Sequence, residues 1–300
     1  MPLLVVGSVA LDSVKTPFGE VDNALGGSAT FFSYAASFFT PVRLVGVVGE
    51  DFPPTHRAML EARKVDTSGL VIEKGGKTFH WRGQYEGDMN TAETLEVQLN
   101  VLGTFDPDLS PAFAKTPFVF LANGSPSMQR KVLAQATHRK LAVADTMNFW
   151  IETQRDELLQ LLKEVDGLVL NDGEARMLTG EVNLVRAGFK VLDLGPKFVI
   201  IKKGEHGAML LSAQETFVMP AFPVAEVIDP TGAGDSFAGG FMGYLASTDQ
   251  TDPAALKTAM AYGTVVASFT VEDFSLRRFQ RTERDEIDRR LGQYRAMMAF

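Results

Sequence analysis

The chain has no cysteine. Disulfides, thiolate metal sites and a thiol nucleophile are therefore excluded, and a reducing compartment suits the composition. Histidine is scarce as well: the four, at 56, 80, 138 and 206, show no metal-ligand spacing. There is no excess of basic charge. A net charge of −8 argues against a general nucleic-acid binder but leaves room for a nucleotide site, which needs only local positive potential. No run reaches the ~18 apolar residues of a membrane span. The opening Met-Pro-Leu-Leu-Val-Val-Gly has neither the basic segment nor the apolar stretch of an export signal. No tandem repeat, low-complexity tract or long linker is visible. The 300 residues, 45% hydrophobic and 22% charged, are enough to bury a large core without staples. A cytoplasmic globular protein is the expectation.

The most informative stretch runs from Asp229 to Phe241 and contains Thr231-Gly232-Ala233-Gly234-Asp235. Val224–Ile228 before it is apolar enough for a buried strand end. Phe237, Phe241 and Leu245 after it recur at helical spacing. The glycines thus fall where a strand is expected to turn into a helix. Gly232 and Gly234 permit close approach of a ligand to the backbone, and the unpaired first amides of the helix suit a phosphate. Asp235 would compete with that anion unless its task is to accept a proton beside it. Stabilisation of the helix dipole after a glycine turn is the plainer account of the same residues.

Along the chain, Leu3–Val6 reads as a buried first strand, with Asp12 a few residues on, either a turn residue or a carboxylate for substrate hydroxyls. Pro17, Gly19 and Asn23 mark a turn-rich excursion. Gly26-Gly27 precedes a helix over Phe31–Phe39, for which Ser28 is a candidate N-cap. Val42–Val48 reads as a core strand, Thr55–Lys64 as a helix, and Val65–Ile72 leads outward. Thr78–Tyr85 and Thr94–Val101 alternate with period two, unlike the all-apolar runs elsewhere, and read as half-buried strands. Phe79, Trp81 and Tyr85 share one face; the polar face with Arg82, Gln84 and Asn100 is a candidate to close on substrate. These strands, with residues 12–24, form a small lid, placed at about 12–24 and 71–102. Exposed sheets of this kind often pair with a copy of themselves.

From Phe118 onward strands alternate with helices. Phe118–Leu121, Leu141–Ala144, Leu168–Leu170 and Phe198–Ile201 read as strands; Ser127–His138, Glu152–Glu164 and Ala187–Leu194 read as helices. Pro253–Phe269 and Thr282–Met298, the latter capped by Thr282, are further helices. The alternation implies βαβ units and a parallel sheet, whose active residues gather beyond the C-terminal strand ends. Asp12, Asn123, Asp145, Asn171, Lys202 and Asp235 share that register. Asn171 and Glu174 fit a helix cap and a Mg²⁺ site equally in spacing. Lys202 reads either as a phosphate contact or as a solvated strand-end lysine.

The string from Asp229 to Phe237 closely resembles the C-terminal signature D-T-x-G-A-G-D-x-F of the ribokinase-like (PfkB) carbohydrate and nucleoside kinases. Gly26-Gly27, Asn171-x-x-Glu174 and that signature appear in family order, so the resemblance spans nearly the whole chain. It is nearest to the adenosine-kinase-like, bacterial sugar-kinase side of the family. The resemblance implies a single domain over 1–300: a three-layer α/β/α fold with a mostly parallel sheet and a small β lid. It implies Asp235 as catalytic base, with Gly232, Ala233 and Gly234 as an anion hole. It also implies an acceptor site of Asp12, Gly26, Gly27, Phe31 and Asn123. Asn171, Lys202, Gly204 and Thr231 would serve ATP, and Glu174 would hold Mg²⁺, directly or through water. K⁺ is an additional cofactor expectation, bound by the loop after Phe269 with carbonyl groups around Asp229 and Thr231. Lids serve as dimer interfaces in some members. Many members carry Asn where this chain has Phe31, and ribokinases carry one where it has Ala10, which argues against a plain ribose pocket.

The resulting reading is an ATP-dependent kinase that phosphorylates a hydroxymethyl group of a sugar or nucleoside, with no nucleic-acid or membrane partner. A non-catalytic metabolite-binding protein on the same fold is the alternative. A nicotinamide-binding enzyme built on Gly232 and Gly234 is disfavoured, because its glycine motif belongs after the first strand and Gly7 starts no G-x-G-x-x-G.

Overall fold

The computed structural model describes residues 1–299. The chain opens with β1 (Leu3–Val6), a hairpin of β2 (Ala10–Thr16) and β3 (Gly19–Gly26), α1 (Ser28–Ser37), β4 (Val42–Gly49), α2 (Pro54–Ala62) and β5 (Val65–Glu73). A second hairpin, β6 (Phe79–Tyr85) and β7 (Ala92–Gln98), leads through a 3-10 turn to α3 (Pro111–Ala114). Alternation follows: β8 (Phe118–Leu121), α4 (Pro126–Gln135), β9 (Leu141–Asp145), α5 (Asn148–Thr153), α6 (Arg155–Leu162), β10 (Gly167–Asn171), α7 (Asp172–Thr179), α8 (Leu184–Asp193) and β11 (Phe198–Lys202). Next come β12 (Ala208–Ser212), β13 (Thr216–Met219), α9 (Ala233–Thr248), α10 (Pro253–Thr270), α11 (Arg277–Gln280) and α12 (Arg284–Met298).

Nine strands make the main sheet, in the order β13-β12-β11-β10-β9-β8-β1-β4-β5, parallel from β11 to β5 and antiparallel at β12 and β13. Its central strands are apolar throughout because both faces are covered. Leu3 and Val5, Phe118 and Phe120, and Phe198 and Ile200 point into a core shared with α1, α9 and α10. The alternate residues Leu4, Val6, Val119, Leu121, Val199 and Ile201 point into a second core under α4 and α6–α8. Three layers result, and no described helix is long and apolar enough to cross a membrane.

The two hairpins pair as a separate four-stranded sheet, β3-β2-β6-β7, with β2 and β6 parallel. This is the expected lid, with different bounds. Residues 71–73 still belong to the edge strand β5, and the chain leaves the lid sheet at Gln98. Asn100, in left-handed conformation (φ 47°), turns the chain into the 3-10 segment, so the period-two pattern over Thr94–Val101 outlasts its strand.

Other expectations are corrected. Val224–Ile228 is irregular rather than a strand, and prolines at 220, 223 and 230 flank it, where a ladder could not be extended without losing donors. Residues 152–164 are divided at Gln154, whose φ of −135° separates α5 from α6. Ser28 and Thr282 make no capping bond: Ser28 Oγ meets Ser8 Oγ and the Asn123 carbonyl, and Thr282 Oγ donates to the Arg278 carbonyl. β12 and β13 have no counterpart in the sequence reading.

Candidate active site

The loop from Asp229 ends in Gly232, which precedes α9 with φ 76°, a conformation open to glycine. A Cβ at Gly232 would overlap the ring of Phe31, which is 2% exposed and seals the loop from α1. Thr231 N donates to Asp229 Oδ1 (2.9 Å), Ala233 N to the Pro230 carbonyl (3.1 Å) and Ser236 N to the Gly232 carbonyl (2.8 Å). Among the described residues, no partner takes the Gly232 or Gly234 amide. The expected anion hole therefore has two ready donors, while Ala233 spends its own on the turn. Asp235 lies in the first turn of α9. Burial, then the Asp145 carboxylate, push its carboxyl up to about 7 against the pull of Lys202.

Lys202, at the end of β11, is not solvated. Its ammonium stands 3.6 Å from Asp145 Oδ2, and a Cβ on Gly234 would fall 2.7 Å from Nζ. Burial draws Lys202 down, but Asp145, Glu174 and Asp235 outweigh it and hold the ammonium above its ordinary value. Burial raises Asp145, and it pushes Glu174 up to about 7. Three carboxylates thus share one cation. Asn171 and Glu174 form the reciprocal capping box at the start of α7: Asn171 Oδ1 accepts from Glu174 N (2.8 Å), and Glu174 Oε2 from Asn171 N (2.7 Å). The cap engages Oε2, and Oε1 takes no part in it.

Asp12 reaches this region from the lid strand β2 rather than from the end of a core strand. Only 6% exposed, it accepts from Gly27 N (3.2 Å) through Oδ2, while Oδ1 is buried without a partner. Gly26 lies so close that a Cβ would overlap Oδ2. Burial is the main cause that lifts this carboxyl to about 7, with Asp229 and Asp235 adding to it. Asn123 is committed elsewhere: its Oδ1 accepts from Trp150 Nε1 (2.9 Å), and its Nδ2 faces Met147 Sδ (3.1 Å).

The polar face of β6 does not close on the site. Arg82 pairs with Asp22 (3.1 Å), Gln84 with Glu93 (2.6 Å), and Asn100 with the Thr78 carbonyl (2.8 Å). The opposite face does, through Tyr85, whose hydroxyl oxygen accepts from Thr231 Oγ1 (3.3 Å). Asp12 stands opposite Trp81 in the β2–β6 register, which puts it on that same face.

A cavity of about 430 Å³ opens beside Gly234 and Lys202. Gly204 forms its floor in left-handed conformation (φ 55°). Phe222, Val227, Thr264, Ser268 and Val271 wall its far end, and Asp88, Met89 and Asn90 of the lid tip reach its mouth. Phe222, Val227 and the lid tip are not among the site residues singled out from the sequence. Irregular segments carry no periodicity that would single them out.

Known proteins resemble this chain in sequence and in fold. The pfkB family carbohydrate kinase model matches residues 4–282. A cytidine kinase of Thermococcus kodakarensis is 29% identical over 248 residues, covering 81% of this chain and 87% of that protein. The crystal structure of the Methanocaldococcus jannaschii nucleoside kinase, 21% identical, superposes with a TM-score of 0.78 over 97% of this chain and 98% of that one. That of an Escherichia coli putative ribokinase II in complex with ATP and Mg²⁺, 20% identical, gives 0.79 over 97% and 99%. With the family model matching residues 4–282, the chain belongs to the pfkB family of carbohydrate kinases.

Proposed function

We propose that this kinase transfers the γ-phosphoryl group of ATP to a hydroxymethyl group of a nucleoside, with Asp235 as general base. The observation that carries the reading is the setting of Asp235: a carboxyl held at about 7, in the same first turn as the unpartnered amides of Gly232 and Gly234. A base near neutrality combines a useful ionised fraction with real proton affinity. The two amides, with the positive end of the α9 dipole behind them, suit the charge that builds on a transferring phosphoryl group. Ala233 joins them only by giving up its bond to Pro230.

Asp12, Gly26, Gly27 and Phe31 bound the acceptor side in this proposal, with Asn123 supporting it through Ser28 and Trp150. The donor occupies the 430 Å³ cavity, near Asn171, Lys202, Gly204 and Thr231. Glu174 is the proposed Mg²⁺ ligand, through the Oε1 that its cap leaves unused. When bound, Mg²⁺ supplies neutralisation of phosphate charge. Asp229, 1% exposed and unpaired with any lysine or arginine among the described residues, fits K⁺ beside the 269–275 loop. A nucleoside is preferred to a free sugar because the Thermococcus relative is named a cytidine kinase.

One kinase domain with a lid belongs to the same proposal, as does a cytoplasmic location, where ATP is at hand. A dimer through the lid does too: Leu95 and Val97 on its edge strand are 50% and 51% exposed. The test is ADP release with Mg²⁺ across nucleosides, ribose, fructose and sugar phosphates, with and without K⁺. Turnover of a nucleoside is expected. Turnover confined to a free sugar or sugar phosphate contradicts the choice of acceptor.

A further inference from the structure

The mechanism above leaves Tyr85 without a task. It ends β6, far in sequence from every glycine loop, yet its hydroxyl is brought to the catalytic loop. There the oxygen accepts from Thr231 Oγ1 at 3.3 Å, so the phenol's own proton is not spent on that bond. No described group accepts it. Burial, followed by the carboxylates of Asp229, Asp12 and Asp235, holds the phenol well above its ordinary value, and it remains a donor throughout the working pH range. The ring packs with Val14, Phe274 and Ile228, which fixes where the hydroxyl points.

Asp12 shows the complementary need. Its Oδ1 is buried without a donor, and its near neighbours supply none: Ala24 and Trp81 stand across from it, the indole N–H of Trp81 is spent on Thr94, and Gly26 and Gly27 have no side chain. Asp12 and Tyr85 lie on one face of the lid, and Asp12 is among the carboxylates that act on the phenol. A pair of neighbouring hydroxyls answers both, giving a proton to Asp12 and taking one from Tyr85.

We propose that Tyr85 is a specificity-determining residue of the acceptor site: its hydroxyl donates to an oxygen of the acceptor's ribosyl diol, while Asp12 accepts from that diol. The proposal rests on the kinase reading of the site. Because Tyr85 rides on the lid, the acceptor would add to a contact that lid and catalytic loop already make.

The experiment compares wild type with Tyr85→Phe, which keeps the ring packing and removes the donor. KM is measured for the acceptor and for ATP on whichever acceptor the wild type turns over, together with the thermal midpoint. The 2′- and 3′-deoxy analogues of that acceptor are measured in parallel. Acceptor KM is expected to rise about 10-fold, since one buried acceptor loses its partner. ATP KM and the thermal midpoint stay within error, and for one deoxy analogue the two enzymes become equal. An acceptor KM within twofold of wild type overturns the proposal. So does a fall in kcat at constant acceptor KM, which would mean that Tyr85 only supports Thr231. Equal losses on both analogues and the parent also overturn it. Wild-type turnover of a sugar in place of every nucleoside defeats the acceptor class instead, and the Tyr85 comparison is then read on that sugar.

Discussion

Replacing Lys202 with methionine removes the only ammonium among three carboxylates and should move the pH profile of the enzyme. In the wild type, Asp235 must be ionised to take a proton, and its value of about 7 leaves about half the molecules competent at pH 7 and about a tenth at pH 6. Lys202 favours the ionised form, while burial and Asp145 oppose it. At the 3.6 Å that separates Lys202 from Asp145, an ion pair is worth about 4–5 kcal/mol at an effective dielectric of about 20. Asp145, Glu174 and Asp235 share this one charge, so the effect on Asp235 alone is smaller, roughly one to three pH units. If Asp145 takes up a proton in the variant, its repulsion of Asp235 vanishes and the shift falls to the low end. The assay is kcat/KM for the acceptor at fixed Mg·ATP, followed from about pH 5.5 to about pH 9.5. The acid limb should move upward by at least about one unit. A uniform loss of activity with the limb unmoved would refute the electrostatic coupling and leave Lys202 as a phosphate contact only.

Asp12 is expected to weigh on stability as well as binding. A carboxyl raised from its ordinary 3.8 to about 7 favours folding while protonated, so its contribution is full below about pH 4 and lost as pH rises through about 7. Asp12→Asn should therefore be more stable than wild type near pH 8, by up to about 4 kcal/mol, and equal near pH 4, as read from urea midpoints. Arg290 lies 3.5 Å over the Phe269 ring, 5.1 Å from Phe222, and donates to Ser268 (2.9 Å). It thus braces Phe222 and Ser268, which line the cavity proposed for ATP, and Arg290→Met should raise KM for ATP several-fold without moving the acceptor KM. A change in acceptor KM alone would contradict that role.

Much of the core was legible because physics writes it in short range. Fully apolar runs such as Phe118–Leu121 and Phe198–Ile201 are what a sheet covered on both faces requires, and each forms a strand. Gly232 was legible too, as a turn glycine before a helix. Long-range partnerships were less so. Nothing local says that Asp12 and Tyr85 would lie on one lid face, since that follows from a parallel β2–β6 pairing across more than sixty residues of chain. Nor does local sequence say that Phe31 would pack against Gly232, or that Asn123 would spend its amide oxygen on Trp150. Asn171 and Glu174 were ambiguous for a stated reason: a capping box and a cation site use the same spacing, and the cap forms without preventing Oε1 from serving the other.

The measurement that bears most directly on the account is turnover of Asp235→Asn beside wild type, with ATP affinity determined on both. The variant removes the proton acceptor but keeps the shape of the first turn of α9 and the amides of Gly232 and Gly234. The account predicts a fall in kcat of at least ~100-fold with ATP affinity largely kept. Near-normal turnover in the variant would contradict it, and the catalytic base would have to be sought elsewhere.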